Sequence, residues 1–223
     1  MAYLEVRNAT KIYKSNGTNV RALDNVSLTA ERGEWIALTG RSGCGKSTLL
    51  NLCGAMDFPS SGTVSLGGQV TSELDDDTLT RLRRKSVGFV FQSFQLLPTL
   101  SAVENVEVPL LLAKTPNARS IAKERLAWVE LDGVADRLPH QLSGGQQQRV
   151  GIARALAQNP AMVLADEPLG NLDTSTGQVI LSLLKRVAHE SGALVLMATH
   201  SQESAMQTDR VICLRDGRIA EGH

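Results

Sequence analysis

The sequence has few cysteines, no excess charge of either sign and no long apolar run. Its three cysteines form no CxxC pair, which argues against a disulfide framework or a zinc site and indicates a reducing compartment. Twenty-three basic residues balance twenty-three acidic ones, so no net field attracts nucleic acid, and we expect no nucleic-acid partner. No amino-terminal targeting signal is visible, and the longest apolar stretches, such as 108–113, fall far short of the roughly 20 residues that span a bilayer. We therefore expect a cytosolic chain that works at a membrane only through a partner.

The length and the strand patterns predict one large α/β domain. The chain has 223 residues, of which 42% are hydrophobic, as is ordinary for a globular protein. Alternating runs bounded by turn residues predict antiparallel strands at 4–7, 20–28 and 62–70. Later apolar, β-rich runs predict a parallel sheet core, with strands at 87–91, 162–165 and 194–198.

Helical periodicity dominates the middle of the chain. Strand signals largely disappear between 94 and 159, which predicts a helical insert there. Apolar residues at helical spacing predict helices at 119–130, 147–158 and 179–187. The segment 72–85 begins acidic and ends basic, which complements a helix dipole and predicts a solvated helix. The last predicted element is a hairpin at 210–220.

The segment 40–48, GRSGCGKST, matches the phosphate-binding pattern G-x-x-x-x-G-K-[ST] between an apolar run and a helical one. Glycines let backbone N–H groups and a helix amino terminus point at phosphates. We expect Lys46 to bind the β and γ phosphates, Ser47 to hold Mg²⁺ and Thr48 to add a phosphate contact. A glycine-rich turn without ligand is the weaker interpretation. The segment thus predicts nucleoside triphosphate binding, and by itself leaves kinases, GTPases, recombinases and transport ATPases open.

Two carboxylates follow a predicted buried strand. The apolar run 162–165 ends in Asp166 and Glu167. We expect Asp166 to hold Mg²⁺, partly through its water shell, and Glu167 to polarise the water that attacks the γ phosphate. With a phosphate-binding loop in the same chain, this interpretation is preferred over a helix cap after a strand.

The pentapeptide LSGGQ at 142–146 indicates which of the nucleotide-binding classes the chain resembles. It is followed by Gln147-Gln148-Arg149 and a predicted helix, and is similar to the signature of ATP-binding cassette proteins. Over essentially its whole length the chain resembles the nucleotide-binding subunit of an ATP-binding cassette (ABC) transporter.

The resemblance implies roles for further residues. Tyr13, in KIYKSNG, matches the aromatic side chain that stacks on adenine. Gln92, in FVFQSF, matches the glutamine that reaches Mg²⁺ and the lytic water, and His200, in MATHS, matches the switch histidine. The segment 170–173 matches the D-loop, which touches the opposite subunit.

The implied site falls into three sets. The catalytic set is Glu167, His200 and Gln92. The metal-binding set is Ser47, Gln92 and Asp166. The set that contacts ATP on either subunit is Tyr13, Gly40, Arg41, Ser42, Gly43, Cys44, Gly45, Lys46, Ser47, Thr48, Ser143, Gly144, Gly145, Gln146 and Asp173.

The resemblance also implies the architecture and the assembly. We expect an α/β fold of one domain over 1–223: a P-loop NTPase core with a mainly parallel sheet, an amino-terminal antiparallel β subdomain, and a helical subdomain inserted after the Q-loop at about 94–159. The signature does not complete the site of its own phosphate loop, which implies a head-to-tail homodimer that traps two ATP molecules. The implied membrane partner is an integral permease subunit at the inner face of the cell membrane.

One branch of the family fits in detail. The run 91–100, FQSFQLLPTL, followed by Glu104-Asn105-Val106, is similar to the LolD/MacB-type branch of lipoprotein-release, macrolide-efflux and antimicrobial-peptide-resistance systems. Leu169 and Cys44 stand where that branch usually has threonine and serine, and neither position carries a catalytic group. The apolar residues of 94–98 either pack in the core or form a groove for a helix of the membrane subunit.

Two other classes are less consistent with the sequence. Soluble ABC ATPases that act on DNA or ribosomes usually have twin cassettes or long coiled-coil insertions, and this sequence has neither. Small GTPases select guanine with an Asn-Lys-x-Asp motif, which does not occur here. We therefore expect a transporter subunit.

Overall fold

The computed structural model of the chain describes residues 2–15 and 18–220, which form two β-sheets with helices packed around them. The two ends of the predicted domain, residue 1 and residues 221–223, lie outside the described residues, as do positions 16 and 17 of the KIYKSNG motif. Within the described ranges no helix is both long and apolar enough to cross a bilayer.

The amino-terminal sheet is antiparallel, as predicted. Its strands are β1 (Leu4–Ser15), β2 (Thr18–Ala30), β4 (Ser61–Leu66) and β5 (Gln69–Val70), in the order β2-β1-β4-β5. The first strand runs to residue 15, although its alternation predicts only 4–7. Its pairing with β2 shifts register between Val6 and Ala9, where Asn8 has a φ of 50°. Such a bulge interrupts the period-two pattern without ending the strand.

The central sheet carries the parallel strands. These are β3 (Trp35–Thr39), β6 (Val87–Phe91), β7 (Met162–Asp166), β8 (Leu194–Ala198) and β9 (Arg210–Arg215), and β10 (Arg218–Ile219) adds an antiparallel edge in the order β10-β9-β3-β8-β7-β6. All side chains of β8 are buried, because helices or the other sheet cover both faces. The predicted parallel core and the carboxyl-terminal hairpin are confirmed.

Helices connect the strands of the central sheet. They are α1 (Lys46–Cys53), α2 (Asp76–Ser86), α3 (Ala102–Leu112), α4 (Ala118–Trp128), α5 (Gly144–Ala155), α6 (Thr174–His189) and α7 (Gln202–Ala205). Short 3-10 turns lie at Thr71–Glu73, Asp132–Val134 and Pro139–Gln141. The described chain between β6 and β7 contains no strand, which agrees with the predicted helical insert.

Side-chain caps decide where several helices begin. Asp75 accepts a hydrogen bond from the Thr78 backbone at 2.8 Å, so α2 begins four positions after the predicted start at 72. A capping box between Ser143 and Gln146 starts α5 at Gly144, three positions before the predicted 147. The sequence did not single out α3, because Pro109 lies inside it and apolar residues on several faces hide its periodicity.

Two apolar clusters flank the central sheet. One joins the inserted helices α3 to α5 with α6 and one face of β7, which supplies Val163 and Ala165. The other joins the amino-terminal sheet and α1 with the opposite face of β7, which supplies Met162 and Leu164. A strand that contributes to both clusters cannot slip by one residue without exchanging its two faces. The register of the central sheet is therefore strongly specified.

We expect Gly88→Ala to destabilise the contact between the helical insert and the sheet. A Cβ atom on Gly88, in β6, would overlap the carbonyl group of Ala155 at the end of α5. We expect the free energy of unfolding to fall by about 1–3 kcal/mol in urea denaturation, as for other overpacked sites. Gly133→Ala is the matched control, because a Cβ atom there would have no neighbour within 4 Å. Equal stability of the two variants would contradict this packing.

Candidate active site

A cleft of about 570 Å³ opens at the carboxyl edge of the parallel strands. Phe91, Asp166 and Ala198 stand level across β6, β7 and β8, and Leu38 of β3 pairs with Ala198. The residues that follow these strand ends therefore meet at one edge. The cleft is lined by Ala22, Ser42, Gly43, Gly45, Lys46, Ser47, Thr48, Phe91, Gln92, Ser93, Gln95, Asp166, Glu167 and His200.

The phosphate-binding loop follows β3 and depends on glycine at several positions. Gly40, Gly43 and Gly45 have φ values of 142°, 79° and 105°, a range that side chains of L-residues rarely adopt. Gly45 also lies against β2, where an added Cβ atom would be 2.5 Å from the Ala22 carbonyl oxygen. The backbone can therefore pass close to β2 and lead directly into α1 only with glycine here.

Lys46 lines the cleft and is almost fully buried, with 8% exposure. Its ammonium group donates to the carbonyl oxygens of Gly40 at 2.9 Å and Arg41 at 3.3 Å. It also lies 3.9 Å from the Glu167 carboxylate. The loop thus holds a cation beside a carboxylate at the amino terminus of α1, where the helix dipole favours anions.

Glu167 and His200 form a hydrogen-bonded pair. The Glu167 Oε2 atom lies 2.8 Å from Nδ1 of His200. Glu167 has a φ of 46°, an uncommon conformation for a non-glycine residue, and its backbone N–H donates to the Ala198 carbonyl at 3.0 Å. Its side chain is mostly buried, at 20% exposure, whereas that of His200 is 71% exposed. The pair therefore joins a fixed carboxylate to a ring that solvent and ligands can reach.

Asp166 ends β7 beside this pair. Its Oδ1 atom is buried and has no hydrogen-bond partner among the residues that the structure describes. A buried carboxylate oxygen without a partner is costly unless a cation or a donor reaches it. Ser47 lines the same cleft and offers a hydroxyl group, so the cleft contains oxygen donors that suit a hard cation.

Tyr13 lies outside the cleft lining, on β1. Its hydroxyl group donates to Asp57 at 3.0 Å, and the ammonium group of Lys11 lies 5.0 Å from the ring centroid. Lys11 also pairs with Asp57 at 2.5 Å. Burial, together with the hydrogen bond to Asp57, raises the pKa of the Tyr13 phenol. The ring is 39% exposed, so its orientation is held while part of it stays accessible.

Part of the phosphate-binding loop lies away from the cleft. Gly40, Arg41 and Cys44 line a separate pocket of about 400 Å³, together with Cys213. The backbone N–H of Cys44 donates to the Arg41 carbonyl at 3.2 Å, and the Cys44 side chain is buried.

The predicted signature residues also lie outside the cleft. Ser143 is exposed at the start of α5, and its hydroxyl group and the Gln146 side chain form the capping box described above. Gly144 and Gly145 form the first turn of α5, and a Cβ atom on Gly145 would overlap the Thr176 side chain. Gly145 is buried and Gly144 half-buried, so Ser143 is the accessible end of a helix amino terminus that favours anions and that its own cleft does not use.

Asp173 caps α6. Its carboxylate accepts hydrogen bonds from the Ser175 hydroxyl at 2.6 Å and from the backbone and hydroxyl of Thr176 at 2.9 and 2.7 Å. These bonds lower the pKa of the Asp173 carboxyl well below its usual range. Within the chain, Asp173 therefore acts as a helix cap.

The structure adds residues that the sequence did not single out. Ala22, Ser93 and Gln95 line the cleft. Arg154, in α5, donates to the carbonyl oxygens of Gln95 at 2.6 Å and Phe94 at 2.9 Å, two residues with positive φ. Ser93 and Gln95 lie within three residues of Gln92, and this proximity could have suggested them. No local pattern links Arg154 to this loop.

A buried asparagine holds the next part of the same loop. Asn105, in α3, is fully buried and accepts a hydrogen bond from the Leu97 backbone at 2.7 Å. Its amide group also lies within hydrogen-bond distance of the carbonyl oxygens of Leu97, Leu100 and Ser101. Of the apolar run after Gln92, Leu96 packs against the core and Leu97 stays 44% exposed.

A cleft with a glycine-rich loop, a buried lysine and a carboxylate–histidine pair at the carboxyl edge of a parallel sheet defines a nucleoside triphosphatase. The ABC transporter family profile matches residues 23–170 of the chain. The ABC transporter ATP-binding protein MJ0796 of Methanocaldococcus jannaschii is 46% identical, with 97% of this chain and 94% of that protein covered. A solved dimeric structure of MJ0796, in a post-hydrolysis state bound to ADP and Pi, superposes with a TM-score of 0.89 at 44% identity, covering 98% of this chain and 97% of that one.

Two relatives carry transport functions in their names. The lipoprotein-releasing system ATP-binding protein LolD of Bordetella avium is 43% identical over 99% of this chain and 97% of its own length. The macrolide export ATP-binding/permease protein MacB of Hyphomonas neptunium is 47% identical over 97% of this chain but only 34% of its own length. The chain belongs to the ABC transporter family, and it is an ATP-binding and ATP-hydrolysing cassette of that family.

We expect Gly45→Ala to weaken ATP binding. The substitution adds backbone strain of about 1–2 kcal/mol and a clash with β2, so the loop has to change shape. We expect the Kd for ATP, measured by isothermal titration calorimetry, to rise by about tenfold or more. Gly68→Ala is the matched control, because Gly68 has a φ of 82° in the turn after β4 and no neighbour within 4 Å. An unchanged Kd for Gly45→Ala would show that the loop tolerates the side chain.

Proposed function

We propose that the cleft hydrolyses ATP with Glu167 as the general base and with His200 and Gln92 as further catalytic residues. The observation that carries this proposal is the mostly buried Glu167 carboxylate, held between the His200 ring at 2.8 Å and the Lys46 ammonium group at 3.9 Å. A fixed carboxylate beside a phosphate-binding loop can accept a proton from a water molecule at the γ phosphate.

The reaction is an in-line transfer of the γ phosphoryl group to water. The water oxygen bonds to the γ phosphorus while the bond to the β–γ bridging oxygen breaks, and Glu167 accepts the proton that the water loses. Lys46 exchanges its bonds to the loop carbonyls for phosphate oxygens, where its charge offsets the charge of the leaving ADP. His200, on the exposed side of Glu167, holds the carboxylate and the γ phosphate in register.

We assign Mg²⁺ to Ser47, Gln92 and Asp166. The unpaired Oδ1 atom of Asp166 and the Ser47 hydroxyl are hard oxygen donors, which fit an ion that binds through few protein groups plus substrate phosphates. When bound there, the ion would supply positive charge that offsets the charge of the phosphates.

The site needs a second copy of the chain to be complete. The start of α5 lies outside the cleft of its own chain, and its helix amino terminus suits an anion; it comprises Ser143, which is exposed, and Gly144, Gly145 and Gln146. In a head-to-tail homodimer each signature covers the ATP in the other chain's cleft, and Asp173 lies on the loop between the subunits. Tyr13 stacks on adenine, while the remaining loop residues, Gly40, Arg41, Ser42, Gly43, Cys44, Gly45 and Thr48, shape the phosphate contacts. The dimer of the related cassette MJ0796 supports this arrangement.

We expect Glu167→Gln to lose turnover but to keep the ATP-dependent dimer. The amide cannot accept the proton, so phosphate release should fall by about 10²–10⁴-fold, while Lys46 and the loop still bind ATP. Phosphate release and sedimentation velocity with and without ATP measure the two effects. The Lys46→Ala variant is the control that should lose binding itself. A Glu167→Gln variant that stays monomeric with saturating ATP would contradict the shared site.

The membrane partner docks at a groove beside the cleft. This groove, of about 330 Å³, lies between β6, α2, α3 and α5 and includes Phe89, Val108, Pro109 and Leu112. Gln95 lines both the groove and the cleft, so an occupant of the groove can act on the catalytic site directly. A mostly apolar groove fits an amphipathic helix of a permease subunit.

The names of the relatives favour a transport role over a soluble ATPase that acts on ribosomes or DNA. We therefore assign the chain, as a single domain of 1–223 with a helical subdomain at about 94–159, to the cytoplasmic face of the cell membrane, bound to a permease of the LolD/MacB type. Export, lipoprotein release and efflux of macrolides or antimicrobial peptides are the transport reactions of that type.

We expect Leu112→Asp to uncouple the chain from its membrane partner. Leu112 lines the groove and is 65% exposed, so a charge there leaves the fold intact but is buried when a helix docks. Basal ATPase activity should stay unchanged, and capture of a membrane subunit from solubilised native membranes should fall by about tenfold or more. Met206→Asp, at an 83% exposed position outside the groove, is the control. Equal capture by both variants would place the docking surface elsewhere.

A further inference from the structure

A buried glutamine connects the signature helix to the loop of the catalytic base. Gln148, in α5, has no exposed surface, and its Nε2 atom donates to the Pro168 carbonyl oxygen at 2.8 Å. Pro168 directly follows Glu167, whose backbone has the uncommon φ of 46°. The hydrogen bond therefore holds Pro168, the residue next to Glu167, whose carboxylate faces the cleft.

Backbone hydrogen bonds hold the loop on both sides of Glu167, and Gln148 adds the bond to Pro168. The Glu167 backbone bonds to Ala198 on one side and accepts from the Gly170 N–H at 3.1 Å on the other. Proline has no N–H, so its carbonyl is the one hydrogen-bonding group that Pro168 offers. Gln148 uses that group, and a left-handed residue needs such support from its surroundings to persist.

Gln148 does not have the features of a residue kept for stability alone. Its Oε1 atom is buried and, within residues 2–15 and 18–220, has no hydrogen-bond partner. A half-satisfied buried amide stabilises a fold less than an apolar side chain of the same shape would. We therefore expect the hydrogen bond to Pro168 to serve a role other than stability of the fold.

We propose that Gln148 is a positioning residue that sets the orientation of Glu167 through the Pro168 carbonyl. This inference rests on the proposed role of Glu167 as the general base. Gln148 lies one turn after Gly144 on the same helix. The turn of α5 that faces the partner's ATP is thereby linked to the base of the chain's own cleft, so that one helix serves both sites of the dimer.

The test is Gln148→Met in the full chain. Methionine keeps the length and the apolar contacts but cannot donate to Pro168. We expect kcat for ATP hydrolysis to fall about tenfold, because a displaced base loses alignment with the attacking water, while KM for ATP changes less than about twofold. The urea midpoint of unfolding should change little, because the Pro168 carbonyl loses its donor but the buried Oε1 atom, which has no partner among the described residues, is removed as well. Gln147→Met is the matched control, because Gln147 donates to Leu142 at 3.1 Å, away from the catalytic loop.

A double variant then tests whether Gln148 acts through Glu167. If it does, Gln148→Met added to Glu167→Gln should not slow single-turnover hydrolysis further, because the base that it orients is already absent. A further tenfold fall would overturn the proposal, and so would an unchanged kcat in Gln148→Met alone or a loss of kcat matched by a loss of stability. Full turnover by Glu167→Gln would instead refute the proposed general base, whatever the Gln148 variant does.

Discussion

The register of the four central parallel strands is the constraint on which the rest of the structure depends. Ala198, Asp166 and Phe91 end β8, β7 and β6 at one level, and Leu38, one residue before the end of β3, pairs with Ala198, so the phosphate loop, His200, Glu167 and Gln92 leave the sheet side by side. The apolar clusters on both faces of β7 hold this register, because a slip of one residue would turn every core side chain to the wrong face. The same slip would turn Asp166, the last residue of β7, to the opposite face and would displace the turn that carries Glu167.

Beyond the strand ends, the backbone turns through conformations that are unfavourable for side-chain-bearing residues. Glu167, Phe94 and Gln95 all have positive φ. The signature helix α5 reaches both loops: Gln148 bonds to the residue after Glu167, and Arg154 bonds to the carbonyls of Phe94 and Gln95. Burial lowers the pKa of the Arg154 guanidinium, and the two carbonyl oxygens accept hydrogen bonds from this partly buried charge. The helix that begins with the signature thus also supports the loops of its own cleft.

Much of this could be predicted from the sequence, because the relevant signals are local. Apolar runs predicted the parallel strands, and the spacing of 40–48 predicted the loop at the end of one of them. Boundaries were less accurate where a single side chain intervened, as with the Asp75 cap and the Asn8 bulge. The helix α3 was not singled out, since Pro109 and apolar residues on several sides obscured its period. The hydrogen bonds that join the side chains of Asn105, Gln148 and Arg154 to backbone groups of separate loops could not be predicted, because each joins segments that share no sequence pattern.

By itself the sequence determined which chemistry the chain carries: glycines for a phosphate loop, a lysine and a serine for phosphates and metal, paired carboxylates after a strand, and a signature at a helix start. These are short-range features whose residue types are dictated by charge, donor geometry and backbone freedom. Only the tertiary structure decided which of them share a cleft, because convergence depends on strand order and register over more than a hundred residues. It separated Ser143, Gly144 and Gly145 from the cleft that contains Lys46 and Glu167. The physical reason is that α5 begins outside the cleft, with Ser143 exposed at its amino terminus, while Gln148 and Arg154 farther along the helix donate hydrogen bonds to the loops of its own cleft.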